Sequence, residues 1–95
     1  MTCVSWGKAV DKRLRRIPQE IARKFMFWVA LVEESGVWEV RKYKGFHDEP
    51  LKGRRRGQWS VRLSRAYRAI YVEHTTGKVE MIEMIEVLEV NKHDY

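Results

Sequence analysis

The hydrophobic pattern changes period halfway along the chain. Between residues 18 and 34, Ile21, Phe25, Trp28, Leu31 and Val32 recur at intervals of four, three, three and one. That is one apolar stripe at helical spacing. It predicts a helix from Pro18 to about Glu34, with Pro18 in the first position, where a missing backbone donor is harmless, and Gly36 just past the end. Phe25 and Trp28 are expected to pack in the core. Upstream, Lys8 to Arg16 reads as a short basic helix, interrupted at Ile17-Pro18 because proline restricts the residue before it. Val37 to Tyr43 fits a helical turn or a strand. Lys44 to Gly57, rich in glycine, proline and charge, reads as a loop.

Beyond residue 58 the period becomes two. Trp59, Val61 and Leu63 alternate with Ser60, Arg62 and Ser64, as in a strand with one buried face. Tyr67 to Glu73 is a second strand, and His74-Thr75-Thr76-Gly77 a four-residue hairpin connection. Val79 to Val90 is a third. Its glutamates at 80, 83, 86 and 89 are spaced by three, which fits neither strand nor helix, so a bulge is expected. Two helices followed by an antiparallel meander predict an α+β fold, with the helices on one face of a small sheet. The tail, Asn91-Lys92-His93-Asp94-Tyr95, would leave an imidazole and a phenol at a sheet end.

Length and composition narrow the class. Ninety-five residues are expected to form one domain spanning 1–95. Apolar residues make up 44% of the chain, enough for a modest core and too many for disorder. A lone cysteine, Cys3, excludes an intramolecular disulfide and an all-cysteine zinc cage. The longest apolar run, Phe25 to Val32, is too short to cross a bilayer. With no basic leader and apolar core at the N-terminus, a soluble, cytoplasmic protein without membrane partners is the expectation.

Charge then changes the picture. The net charge is +6, and it is unevenly spread. Residues 1–68 hold 17 basic and 7 acidic side chains, while residues 69–95 hold 2 and 6. Lys52, Arg54, Arg55, Arg56, Arg62, Arg65 and Arg68 fall in one stretch with no acid among them. Such a surface attracts polyanions, of which RNA and DNA are the usual ones. Trp59, Tyr67 and Tyr71 lie among these cations, and aromatic faces beside arginine suit nucleic-acid bases.

Cutting RNA without a metal needs a base for the 2′-hydroxyl, positive charge for the phosphorane and an acid for the departing 5′-oxygen. Glu49, Arg62 with Arg68, and His93 with Tyr95 are residue types that fit these roles. On spacing alone, Glu49 reads as a solvated loop carboxylate and His93 as a surface residue. His47 and His74 lie in predicted loops and receive no role. No spacing matches a metal site, and there is no G-x-S-x-G or phosphate-cradling glycine loop. No cofactor is expected.

Four segments in order carry a resemblance: Asp48-Glu49-Pro50-Leu51-Lys52-Gly53, Gly57 to Leu63, Tyr67-Arg68-Ala69-Ile70-Tyr71, and the ending His93-Asp94-Tyr95. Together they resemble the RelE/ParE superfamily of toxins from toxin–antitoxin modules, most closely its YoeB- and HigB-like branches. The resemblance covers about residues 45–95. It implies a microbial-RNase-like α+β fold, ribosome-dependent cleavage of mRNA in the A site, and a cognate antitoxin. Position by position, Glu49 resembles the general base and Arg62 and Arg68 the phosphate-stabilising arginines. His93 resembles the general acid, and Tyr95 the terminal tyrosine that orients or stacks on substrate. Lys52 matches the loop lysine, and Arg54, Arg55, Arg56, Trp59 and Arg65 complete the implied RNA surface. Asp94 separates His93 from Tyr95, which adjoin in the YoeB-like ending. Two other readings remain open: a ParE-like DNA gyrase inhibitor, and a nucleic-acid- or ribosome-binding module without catalysis.

Overall fold

Proline 18 sets the first boundary. Lacking an amide hydrogen, it stands just outside the second helix in extended backbone (φ −55°, ψ 142°), and its carbonyl accepts the amides of Ile21 and Ala22 at 3.0 and 3.1 Å. The helix therefore begins one residue later than the spacing predicts. In the computed structural model, which describes residues 2–87, helix α1 spans Lys8–Leu14 and α2 spans Gln19–Ser35. Gly36 ends α2 at φ 86°, a backbone region that L side chains avoid, and its amide reaches the Val32 carbonyl at 2.8 Å. The ambiguous segment that follows resolves as a one-turn helix, α3 (Val37–Val40).

The sheet has five strands: β1 (Val4–Trp6), β2 (Glu49–Pro50), β3 (Gln58–Arg62), β4 (Tyr67–Glu73) and β5 (Val79–Glu86). Their spatial order is β1-β5-β4-β3-β2. The predicted meander β3-β4-β5 is antiparallel. Two edge strands extend it, β1 parallel to β5 and β2 antiparallel to β3. The region read as one loop thus contains a short strand, flanked by 3₁₀ turns at Lys44–Phe46 and Gly53–Arg55.

The expected bulge is present in β5. Ile70 pairs with Glu83, but the next residue of β4, Tyr71, pairs with Met81. Ile82 is the extra residue, and it shifts the alternation so that Val79, Met81 and Met84 are all buried. The extra residue puts Glu80 and Glu83 on one face despite their spacing of three, whereas Glu83 and Glu86, paired regularly with Ile70 and Tyr67, fall on opposite faces.

One face of the sheet carries Trp59, Val61, Ala69, Tyr71, Met81 and Met84, and against it α1 and α2 bury Val10, Ile21, Phe25, Trp28, Val29 and Val32. Trp28 meets Tyr71 at 5.1 Å between ring centroids, and Phe25 meets Trp6 edge-on at 5.2 Å. Phe25 and Trp28 are fully buried, so truncating either to alanine costs about 3–5 kcal/mol. Among the described residues, no helix is long and apolar enough to cross a membrane.

Candidate active site

Strand register builds the opposite face. Glu49 pairs with Ser60, Ser60 with Ile70, and Ile70 with Glu83, so these four form one row across the sheet. In the next row Arg62 stands directly opposite Arg68. Ser60 was expected to face solvent, but it is buried, because this face is hollowed rather than open. His47, Glu49, Ser60, Arg62 and Arg68 line a cavity of about 50 Å³. Its lining is almost wholly polar. At ~10–15 Å³ per water-sized group it holds roughly three to five such groups, about the size of a phosphate.

The β3–β4 turn fixes the arginine pair. Ser64 Oγ accepts the amides of Ala66 and Tyr67 at 3.1 and 3.2 Å, and the Leu63 amide donates to the Tyr67 carbonyl at 2.9 Å. The reversal is tight, so Arg62 and Arg68 are neighbours by register. Like charges directly opposite in a sheet are destabilising. No carboxylate within salt-bridge distance relieves the pair among the described residues. Arg62 Nε and Arg68 Nη1 are buried and have no hydrogen-bond partner there. Buried donors are normally satisfied, so two arginines that line one polar cavity, each with a guanidinium nitrogen unpartnered among the described residues, suit an anion.

A second network holds the loop that carries Glu49. The Asp48 side chain is wholly buried and accepts the Tyr71 hydroxyl at 2.7 Å. Arg41 Nε donates to the same hydroxyl at 3.2 Å, and Arg41 Nη2 pairs with Glu73 at 3.1 Å. The Arg41 guanidinium also lies 3.5 Å from the Trp59 ring centroid. Burial raises the Asp48 pKa above its ordinary value; the Tyr71 hydrogen bond and the Arg41 charge act against that rise without cancelling it. Burial also raises the Tyr71 phenol, with the Asp48 carboxylate adding to the shift. Asp48 Oδ2 and Trp28 Nε1 are both buried without a hydrogen-bond partner among the described residues, yet the indole stands near enough to favour the charged carboxylate.

The fold therefore brings Glu49, Arg62 and Arg68 together and adds His47, to which the sequence assigned nothing. Its only signal was a position two residues before Glu49. Lys52, Arg54, Arg56 and Arg65 are exposed. Arg55 is engaged internally, donating to Gln58 at 2.8 Å and pairing with Glu83, so it bridges β3 and β5 across β4. Trp59 lies on the helix-facing side, half-buried and covered by Arg41, and Tyr71 is core. Neither ring offers a free face to a base beside the cavity. His74 sits at the far hairpin, 3.0 Å from Glu80. His93 and Tyr95 lie outside the described residues. No three metal-ligating side chains cluster among those described.

This architecture is that of the RelE/ParE-like toxins. The chain superposes on RelE in the archaeal RelE–RelB complex from Pyrococcus horikoshii with a TM-score of 0.73, at 22% identity over 94% of this chain and 98% of that one. A YoeB/ParE toxin from Agrobacterium tumefaciens gives 0.60 at 21% identity, covering 90% and 99%. The YoeB–YefM complex from Staphylococcus aureus gives 0.68 at 13% identity, covering 90% and 95%. Identities this low establish a shared fold. No protein-family model matches the chain, and no curated protein matches it in sequence.

Proposed function

We propose that the protein is the toxin of a toxin–antitoxin pair and an endoribonuclease that cuts mRNA on the ribosome. The observation that carries this reading is the Arg62–Arg68 pair, two half-buried arginines that line one cavity with Glu49, each with a buried guanidinium nitrogen that has no partner among the described residues. In the proposed reaction Glu49 takes the proton from the 2′-hydroxyl. The oxygen attacks the adjacent phosphorus, and the two arginines stabilise the phosphorane charge. Departure of the 5′-oxygen leaves a 2′,3′-cyclic phosphate and a 5′-hydroxyl. The side chains supply every element of this chemistry, so no cofactor enters it.

The resemblance assigns His93 as the acid and Tyr95 as the residue that orients substrate; both lie outside the described residues. Lys52, Arg54, Arg56 and Arg65 hold RNA backbone, while Arg55 and Trp59 support the scaffold. The cavity is too small to align an mRNA by itself, and the ribosomal A site supplies the alignment, worth several orders of magnitude in rate. Solved neighbours include toxins in complex with RelB and YefM, which supports a cognate antitoxin, and a cytoplasmic setting follows from a ribosomal target.

Fold alone does not choose between nuclease and gyrase inhibitor. Purified protein is assayed in parallel for cleavage of a defined mRNA on translating ribosomes and for inhibition of DNA supercoiling. Cleavage with 2′,3′-cyclic phosphate ends is expected. Supercoiling inhibition without cleavage would replace this reading with the gyrase one, and salt-dependent RNA binding without new ends would replace it with a binding module.

A further inference from the structure

His47 is the one non-glycine residue with positive φ among those described, at φ 44° and ψ 49°. Side chains other than glycine seldom occupy this left-handed region, and residues held there cluster at functional sites. Its neighbours show what holds it. Phe46 is buried in the core, and the Phe46 amide donates to the Tyr43 carbonyl at 3.3 Å. Asp48 is anchored from the other side by the Tyr71 hydroxyl. The His47 amide closes the 3₁₀ turn on the Lys44 carbonyl at 3.1 Å. The chain is thus pinned to the helix-side core on both flanks, and the intervening residue is turned to line the cavity with Glu49, Ser60, Arg62 and Arg68.

We infer that His47 is a catalytic residue of the proposed cleavage, the acid that delivers a proton to the departing 5′-oxygen. The inference rests on the nuclease reading and moves the acid's role from His93, where the resemblance puts it, to His47. An in-line displacement needs a base on one side of the phosphorus and an acid on the other. Histidine is the side chain that exchanges a proton most readily near neutral pH. Among the described residues, the ionisable groups lining the cavity around it are the Glu49 carboxylate and the guanidinium groups of Arg62 and Arg68; neither arginine gives up a proton, and Glu49 is committed to the 2′-hydroxyl. The step balances: Glu49 gains the 2′-hydroxyl proton as the O2′–P bond forms, and imidazolium loses one to O5′ as the P–O5′ bond breaks. Exchange with water resets both groups.

The test compares an ordinary mRNA with one whose scissile 5′-oxygen is replaced by sulfur, each positioned in the A site of a programmed ribosome. A thiolate departs without a proton, so the sulfur substrate has no need of an acid. The variant is His47→Asn, because asparagine tolerates the left-handed backbone and cannot serve as the acid. It is expected to lose on the order of 10²–10⁴-fold on the ordinary RNA and to cut the sulfur substrate within about threefold of the wild type. His93→Asn is expected to show no such selectivity. Equal loss on both substrates, no loss on either, or selectivity in His93→Asn but not in His47→Asn would each overturn the assignment. If the wild type cuts neither RNA, the nuclease reading fails instead.

Discussion

Replacing Arg68 by methionine should make the protein more stable and nearly inactive. Arg68 faces Arg62 directly across two strands, and like charges so placed cost about 0.2–1 kcal/mol. Its Nη1 is also buried without a partner among the described residues, and an unsatisfied buried donor carries a penalty of about 1–3 kcal/mol. Methionine keeps most of the apolar stem, so little packing is lost. A net gain of about 1 kcal/mol corresponds to a Tm rise of about 4–8 °C for a domain of this size. The electrostatic share should fade with salt, because the screening length falls from about 10 Å at 0.1 M to about 3 Å at 1 M. Loss of one preorganised donor to the phosphorane should lower cleavage by about 10²–10³-fold. Thermal melts at both salt concentrations and cleavage on programmed ribosomes measure the two halves. A variant that melts below the wild type at low salt would mean that Arg68 is satisfied within the fold. Arg68 would then be no vacant anchor for an anion.

Tyr71→Phe should cost about 1–3 kcal/mol, because Asp48 and Arg41 both lose their hydroxyl partner in a buried setting; urea melts read this directly, and an unchanged midpoint would remove the hydroxyl from the account. Asp48→Asn tests the buried carboxyl through pH. Its pKa is raised above 3.8, so the folded state holds a proton that the unfolded chain has released. Wild-type stability relative to the variant is therefore greatest in acid and declines as pH climbs from about 3.8 through the raised value. Paired melts between acid and neutral pH check the sign, and a wild-type advantage that grows with pH would mean the Arg41 pairing outweighs burial.

Much of this molecule was legible in the residue pattern, and the misses have physical causes. Helix α2 is carried by its own stripe, and β3, β4 and the hairpin by alternation and turn chemistry. The misplaced start of α2 follows from treating proline as the first helical residue when its backbone here is extended. Strands β1 and β2 have three and two residues, too few to express a period; they exist because a neighbouring strand offers hydrogen bonds. Glu49, Arg62 and Arg68 were named together because their motifs matched a known arrangement, whereas spacing alone left Glu49 a solvated carboxylate. His47 was invisible because its orientation depends on Phe46 and Asp48 being drawn into the core. Composition also does not reveal that Arg41 lies over Trp59 or that Glu83 pairs with Arg55.

In the proposed mechanism Glu49 and the two arginines act on one phosphodiester. Primer extension on a reporter mRNA after brief induction tests it most directly, comparing the wild type with Glu49→Gln, a change at an exposed side chain that should leave the fold intact. Codon-registered breaks are expected in the wild type, with a loss of about 10²–10⁴-fold in the variant. Breaks of equal intensity in both would contradict it.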